Sequence, residues 1–89
     1  MDIVTRVGVI PPYILEVTFA DHVRRRVNVE SLLYGEMFEP LRDAALFAQA
    51  RVDPVLGTVV WPNGADLSPE FLREAEAETV STSLEGASP

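Results

Sequence analysis

Few residues in this chain have the types and spacing that chemistry requires. There is one histidine, His22, and no cysteine, so neither a histidine-based nucleophile relay nor a multi-histidine or thiolate metal centre can be assembled. His22 follows Ala20-Asp21 between two strand-like segments and reads as a solvated turn residue. Asp53 and Asp66 flank a short apolar strand and are the carboxylate pair that could serve acid-base or metal work. Asp53 precedes Pro54 and Asp66 stands beside a helix start, both ordinary turn and capping places, so a structural role is expected of them. Gly57 and Gly64 are isolated and have neither Walker nor dinucleotide-binding spacing. The expectation is a non-catalytic protein without a cofactor or metal.

The charged and aromatic groups point instead to surfaces. With 14 acidic residues against 7 basic ones the net charge is −7, which repels phosphate backbones at long range and favours a basic protein partner over nucleic acid. The basic cluster Arg24-Arg25-Arg26 is split by strand alternation, which sends Arg24 and Arg26 to one face and Arg25 to the other. A carboxylate-paired, solvated sheet face is the plain reading of Arg24 and Arg26, and partner contact the functional one. Glu70, Glu74, Glu76 and Glu78 concentrate negative charge around a lone Arg73, and such a helix face is either simply solvated or recognises a basic partner. Trp61, on a β-branched strand beside Pro62, reads as a large apolar filler; an exposed Trp61 would instead mark a ligand platform.

These residues have to be positioned by a small fold. Eighty-nine residues with 47% hydrophobic content support one domain, expected over 1–78, with 79–89 as a flexible polar tail. No apolar run reaches the length of a membrane span and no leader pattern opens the chain; with no cysteine, a cytoplasmic location is expected.

Residues 3–10 and 13–19 read as strands separated by Pro11-Pro12, and 23–29 as a third, giving a three-stranded antiparallel meander. Pairing Phe19 with Val23 would set Glu16 opposite Arg26 and Thr18 opposite Arg24. A helical turn is expected through 31–34 with Gly35 ending it, and another around 39–43 with Pro40 in its first turn and Phe38 and Leu41 turned inward. Residues 47–52 read as extended and pair with 58–61 in a second hairpin across the loop 53–57. Pro62-Asn63-Gly64 turns the chain, and Ser68 caps a helix opening at Pro69 and running to about Glu78, with Leu67 and Leu72 as a hydrophobic staple. The fold class is α+β: a small antiparallel sheet, made of the meander and the second hairpin, with two or three short helices. Apolar positions on both sheet faces, Ile14 among them, predict a homo-oligomer, simplest as a dimer.

The run from Val52-Asp53 through Gly57-Thr58-Val59-Val60-Trp61-Pro62-Asn63-Gly64-Ala65-Asp66-Leu67-Ser68-Pro69-Glu70-Phe71-Leu72, with Leu15-Glu16-Val17-Thr18-Phe19 and Phe38-Glu39-Pro40-Leu41-Arg42-Asp43, resembles the bacterial family catalogued as domain of unknown function 2442. The resemblance covers roughly residues 3 to 73, with Trp61-Pro62-Asn63-Gly64-Ala65-Asp66 as its most specific part. It implies a small α+β domain whose members often sit beside a toxin gene and some of which carry a helix-turn-helix domain, hence an antitoxin or regulatory role; it brings no catalytic residues. Two departures stand out. The turn after Phe19, where the family has Asp-Gly, carries Asp21-His22, and no helix-turn-helix follows. Two readings remain: an antitoxin-like interaction protein that binds a basic partner through its acidic C-terminal helix, or a ligand-binding or regulatory module using a groove near Trp61, Asn63 and Asp66.

Overall fold

The computed structural model describes residues 2–77. Two three-stranded antiparallel sheets carry the fold. The first is the meander β1 (Val4–Ile10), β2 (Ile14–Phe19) and β3 (Arg24–Asn28). The register of β2 with β3 is the one expected, with Glu16 opposite Arg26 and Thr18 opposite Arg24. In β2 the inward side chains Leu15, Val17 and Phe19 are buried while Ile14, Glu16 and Thr18 are only half-buried, the alternation of a strand with one face on the core.

Beyond β3 the chain makes a 3-10 turn over Glu30–Leu32, helix α1 (Gly35–Phe38), a second 3-10 turn over Glu39–Arg42 with Pro40 in its first turn, and helix α2 (Ala44–Phe47). Leu41 is buried and Phe38 half-buried, both packed with the core. Two expectations are corrected in this stretch. Gly35, at φ 85°, opens α1 and does not end the helical turn before it. The residues from Phe47 are not extended until Arg51: the Asp43 carboxylate accepts from the Ala45 and Leu46 amides at 2.9 and 3.3 Å and so caps α2, which ends on Phe47. An N-cap satisfies amides that a strand would have sent to a ladder.

The second sheet consists of β4 (Arg51–Asp53), β5 (Thr58–Val60) and β6 (Asp66–Leu67). The expected hairpin is present, extended by β6, which pairs Val59 with Leu67 and Val60 with Asp66. Buried Thr58 donates its hydroxyl to the Leu67 carbonyl, tying β5 to β6 from a side chain. Helix α3 (Pro69–Glu74) follows, with Ser68 as N-cap: its hydroxyl accepts from the Phe71 amide at 3.0 Å. Leu67 and Leu72 on either side of the cap are both buried, as the staple requires.

The sheets meet through one core. The Val4 amide donates to the Gly57 carbonyl at 2.9 Å, bridging the first strand to the second sheet. Tyr13, Phe47 and Trp61 form an aromatic row, edge-to-face at 5.3 Å between the first two and tilted at 5.7 Å between the last two. Around them Val4, Leu15, Val17, Phe19, Val27, Leu33, Leu41 and Leu72 are buried. Ile14 is half-buried.

Candidate functional site

Helix α3 is where charge is most sharply sorted. Its one basic residue, Arg73, turns inward: Nε lies 3.1 Å from Asp2 Oδ1, Nη2 lies 2.9 Å from Asp21 Oδ2, and the guanidinium sits 4.2 Å over the Phe19 ring. Glu70, Glu74 and Glu76 are exposed and form no salt bridge among the described residues. With Arg73, 27% exposed, paired to Asp2 and Asp21, the unpaired charge of this segment among the described residues is all negative. Asp21 is held below the usual carboxylate value, chiefly by accepting the Val23 amide and then by Arg73, against some loss of hydration. Arg73 loses hydration too, but its hydrogen bonds to Asp21 and Asp2 outweigh that and raise its pKa.

The helix is shorter than expected. It ends at Glu74, with Ala75 already extended at ψ 154°; Glu76 lies past its end, and Glu78 and the tail 79–89 fall outside the described residues. Its stop is made by Arg25, the inward-facing member of the arginine cluster. That guanidinium donates to the carbonyl oxygens of Leu72 at 2.6 Å, of Arg73, and of Ala75 at 2.5 Å. A cation that gathers the last carbonyls of a helix satisfies acceptors with no intrahelical partner and faces the negative end of the dipole. Alternation alone foretells which face Arg25 takes; nothing local foretells acceptors 47 to 50 positions away.

Arg24 and Arg26 project from the exposed outer face of the first sheet, and Arg26 Nε pairs with Glu16 Oε2 at 3.0 Å. Arg6 joins them there, opposite Thr18 in the row that ends in Arg24. Sequence reasoning missed this third cation because β1 slips register between Val4 and Arg6, and a bulge reassigns faces in a way period-2 counting does not follow. A weakly basic sheet face and an acidic helix thus belong to different surfaces.

The Trp61–Asp66 corner is a piece of scaffold. Trp61 is 2% exposed and its Nε1 donates to the Phe47 carbonyl at 3.0 Å. Pro62 and Asn63 form the tip of the β5–β6 turn. Asn63 spends both ends of its amide inside the protein, Nδ2 donating to the Met37 carbonyl at 2.9 Å and Oδ1 accepting from the Ala65 amide at 3.1 Å. Gly64 supplies the positive φ, at 94°. Asp66 is exposed on β6. Asp53 likewise serves its own loop, Oδ1 accepting from the Val55 and Leu56 amides at 2.8 and 3.1 Å. Among the described residues no three His, Cys, Asp or Glu side chains gather as metal ligands, and no helix is long and apolar enough to cross a membrane.

The arrangement offers surface: an acidic helix end and a separate arginine-bearing sheet face, joined by Arg25, which reaches from β3 to the last carbonyls of α3. No curated protein and no solved structure matches the chain. A family model does, described as protein of unknown function (DUF2442), over residues 4–78, which takes in every strand and helix above; the chain belongs to that family.

Proposed function

We propose that this chain is a non-catalytic interaction protein, the antitoxin-like or regulatory member of a bacterial two-protein system, and that it binds a basic protein partner through the acidic end formed by Glu70, Glu74 and Glu76. The inward turn of Arg73 onto Asp2, Asp21 and Phe19 carries the reading, because it leaves the outer side of α3 with acidic groups only. Charges of one sign on a protein of net −7 draw an oppositely charged partner over about a Debye length, roughly 8–10 Å at physiological salt, and act mainly on the rate of encounter.

The test is co-expression with the product of the adjacent reading frame, followed by association kinetics over a range of salt. The association rate should fall as salt rises, and Glu70→Gln/Glu74→Gln/Glu76→Gln should slow it several-fold at low salt while dissociation changes less. Absence of a complex, or an association rate indifferent to both salt and neutralisation, would overturn the reading. If Arg6→Ala/Arg24→Ala weakens the complex instead, the contact lies on the sheet face.

A further inference from the structure

The loop between β4 and β5 shows two large apolar side chains to water. Val55 is 91% and Leu56 57% exposed, and Ile3, which adjoins them, is 43% exposed. Single exposed apolar residues are ordinary on protein surfaces. Here three of them surround one open depression of about 350 Å³, completed by Asp2, Pro69 and Glu70.

The loop is held in this posture. Asp53 Oδ1 accepts from the Val55 and Leu56 amides, the Gly57 amide returns to the Asp53 carbonyl at 2.7 Å, and the Gly57 carbonyl accepts from Val4. Gly57 stands at φ 67°, and a Cβ there would come within 3.2 Å of Ile3 Cγ2, so Ile3 packs directly on the loop backbone. A turn with its main-chain groups satisfied and its apolar side chains outside loses little conformational entropy when a partner covers it.

We propose that Ile3, Val55 and Leu56, together with Glu70, form the docking surface for a segment of a basic protein that carries apolar side chains beside arginine or lysine. The inference rests on the basic-partner reading above and adds where the partner's apolar contacts fall. Charge complementarity selects this occupant: the depression is bordered by Asp2 and Glu70 on a chain of net −7. Asp2 is already engaged by Arg73, which makes Glu70 the carboxylate that meets an incoming cation. Leu56 and Val55 supply the desolvated centre and Glu70 the charged rim of a small interface.

The experiment titrates the isotope-labelled full chain with a synthetic peptide of alternating arginine and leucine, and in parallel with one of alternating arginine and serine, following backbone amide shifts. The arginine-leucine peptide should give saturable shifts at Val55, Leu56, Gly57 and Glu70. The arginine-serine peptide should bind about tenfold more weakly or worse, and Val55→Ser/Leu56→Ser should lose about tenfold or more for the first peptide only, with its melting unchanged. Equal binding of both peptides, with shifts at Glu74 and Glu76 and no effect of Val55→Ser/Leu56→Ser, overturns this inference and leaves the acidic-helix reading standing. Failure of both peptides to bind overturns the two together. Sedimentation of the protein alone gives the remaining outcome: self-association abolished by Val55→Ser/Leu56→Ser would show that a second copy covers the surface, and would overturn the proposal.

Discussion

His22 and Gly64 occupy the same place in two loops built alike. In the first, the Phe19 amide donates to the Val23 carbonyl and the His22 amide to the Phe19 carbonyl, both at 2.8 Å; in the second, the Trp61 amide donates to Ala65 at 2.9 Å and the Gly64 amide to Trp61 at 3.0 Å. Each loop sets an Asp or Asn one position earlier, Asp21 or Asn63, whose side-chain oxygen accepts the amide that follows the loop. Both third residues lie in the left-handed region, Gly64 at φ 94° and His22 at φ 74°, as three-residue hairpin loops require. One loop uses the residue suited to that conformation and the other does not.

His22→Gly should therefore stabilise the protein. Relief of the left-handed strain, about 1–2 kcal/mol, exceeds the added freedom of glycine in the unfolded chain, about 0.4–1 kcal/mol, leaving a gain of roughly 0.5–1 kcal/mol. A thermal melt should rise by a few degrees, and His22→Val should lower it; an unchanged or lowered midpoint for His22→Gly contradicts the comparison of the two loops.

Arg25 and Arg24 are neighbours in sequence with unequal roles. Arg25→Ala should cost about 2–3 kcal/mol, the worth of charge-assisted hydrogen bonds to carbonyls that lose their partner, and should speed amide exchange in Phe71–Ala75. Arg25→Lys should recover only part of this, because an ammonium does not reproduce the planar fork. Arg24→Ala, on the exposed face, should stay within about 0.5 kcal/mol of the parent. Urea denaturation of the three variants decides it, and equal costs for Arg25→Ala and Arg24→Ala would refute the cap.

Trp61→Ala should be a folding lesion of about 3–5 kcal/mol. Trp61→Phe keeps most of the ring volume and removes the indole donor from the Phe47 carbonyl, which still accepts from the Ala50 amide at 3.2 Å, so it should cost only about 0.5–1.5 kcal/mol. Both are read by equilibrium unfolding. A Trp61→Ala protein that melts like its parent would place the indole on the surface.

Acid should weaken the Arg73 cluster through Asp21. Its folded pKa is lowered, first by the Val23 amide and then by Arg73, so its contribution is complete above the unfolded value near 3.8 and is lost as pH falls through the lower folded value. Melting midpoints followed from neutral pH into that acid window should drop less steeply for Asp21→Asn than for the parent. Parallel curves for the two proteins would mean that Asp21 takes no part in acid sensitivity.

Local signals were enough for several elements of this protein. Period-2 alternation in residues 13–19 and the valines around Arg25 determined the meander, the register of β2 with β3 and the Glu16–Arg26 pair, since pairing by one residue more or less would have turned the apolar row to water. Ser68-Pro69 determined the start of α3, and Trp61 was legible as core from its strand neighbours. Tertiary structure decided the rest. Strand β6 is two residues long, too short to carry a period, and exists because Asn63 and Gly64 fold Leu67 back against Val59. The end of α3 was expected near Glu78 because the helix-forming residues continue; it falls at Glu74 because Arg25, from the other half of the chain, takes the carbonyls there. The acidity of the helix surface was likewise decided at a distance, by Asp2, Asp21 and Phe19 drawing Arg73 inward. Spacing along a chain reports which neighbours share a face, whereas charge pairing and capping between remote segments depend on how those faces meet.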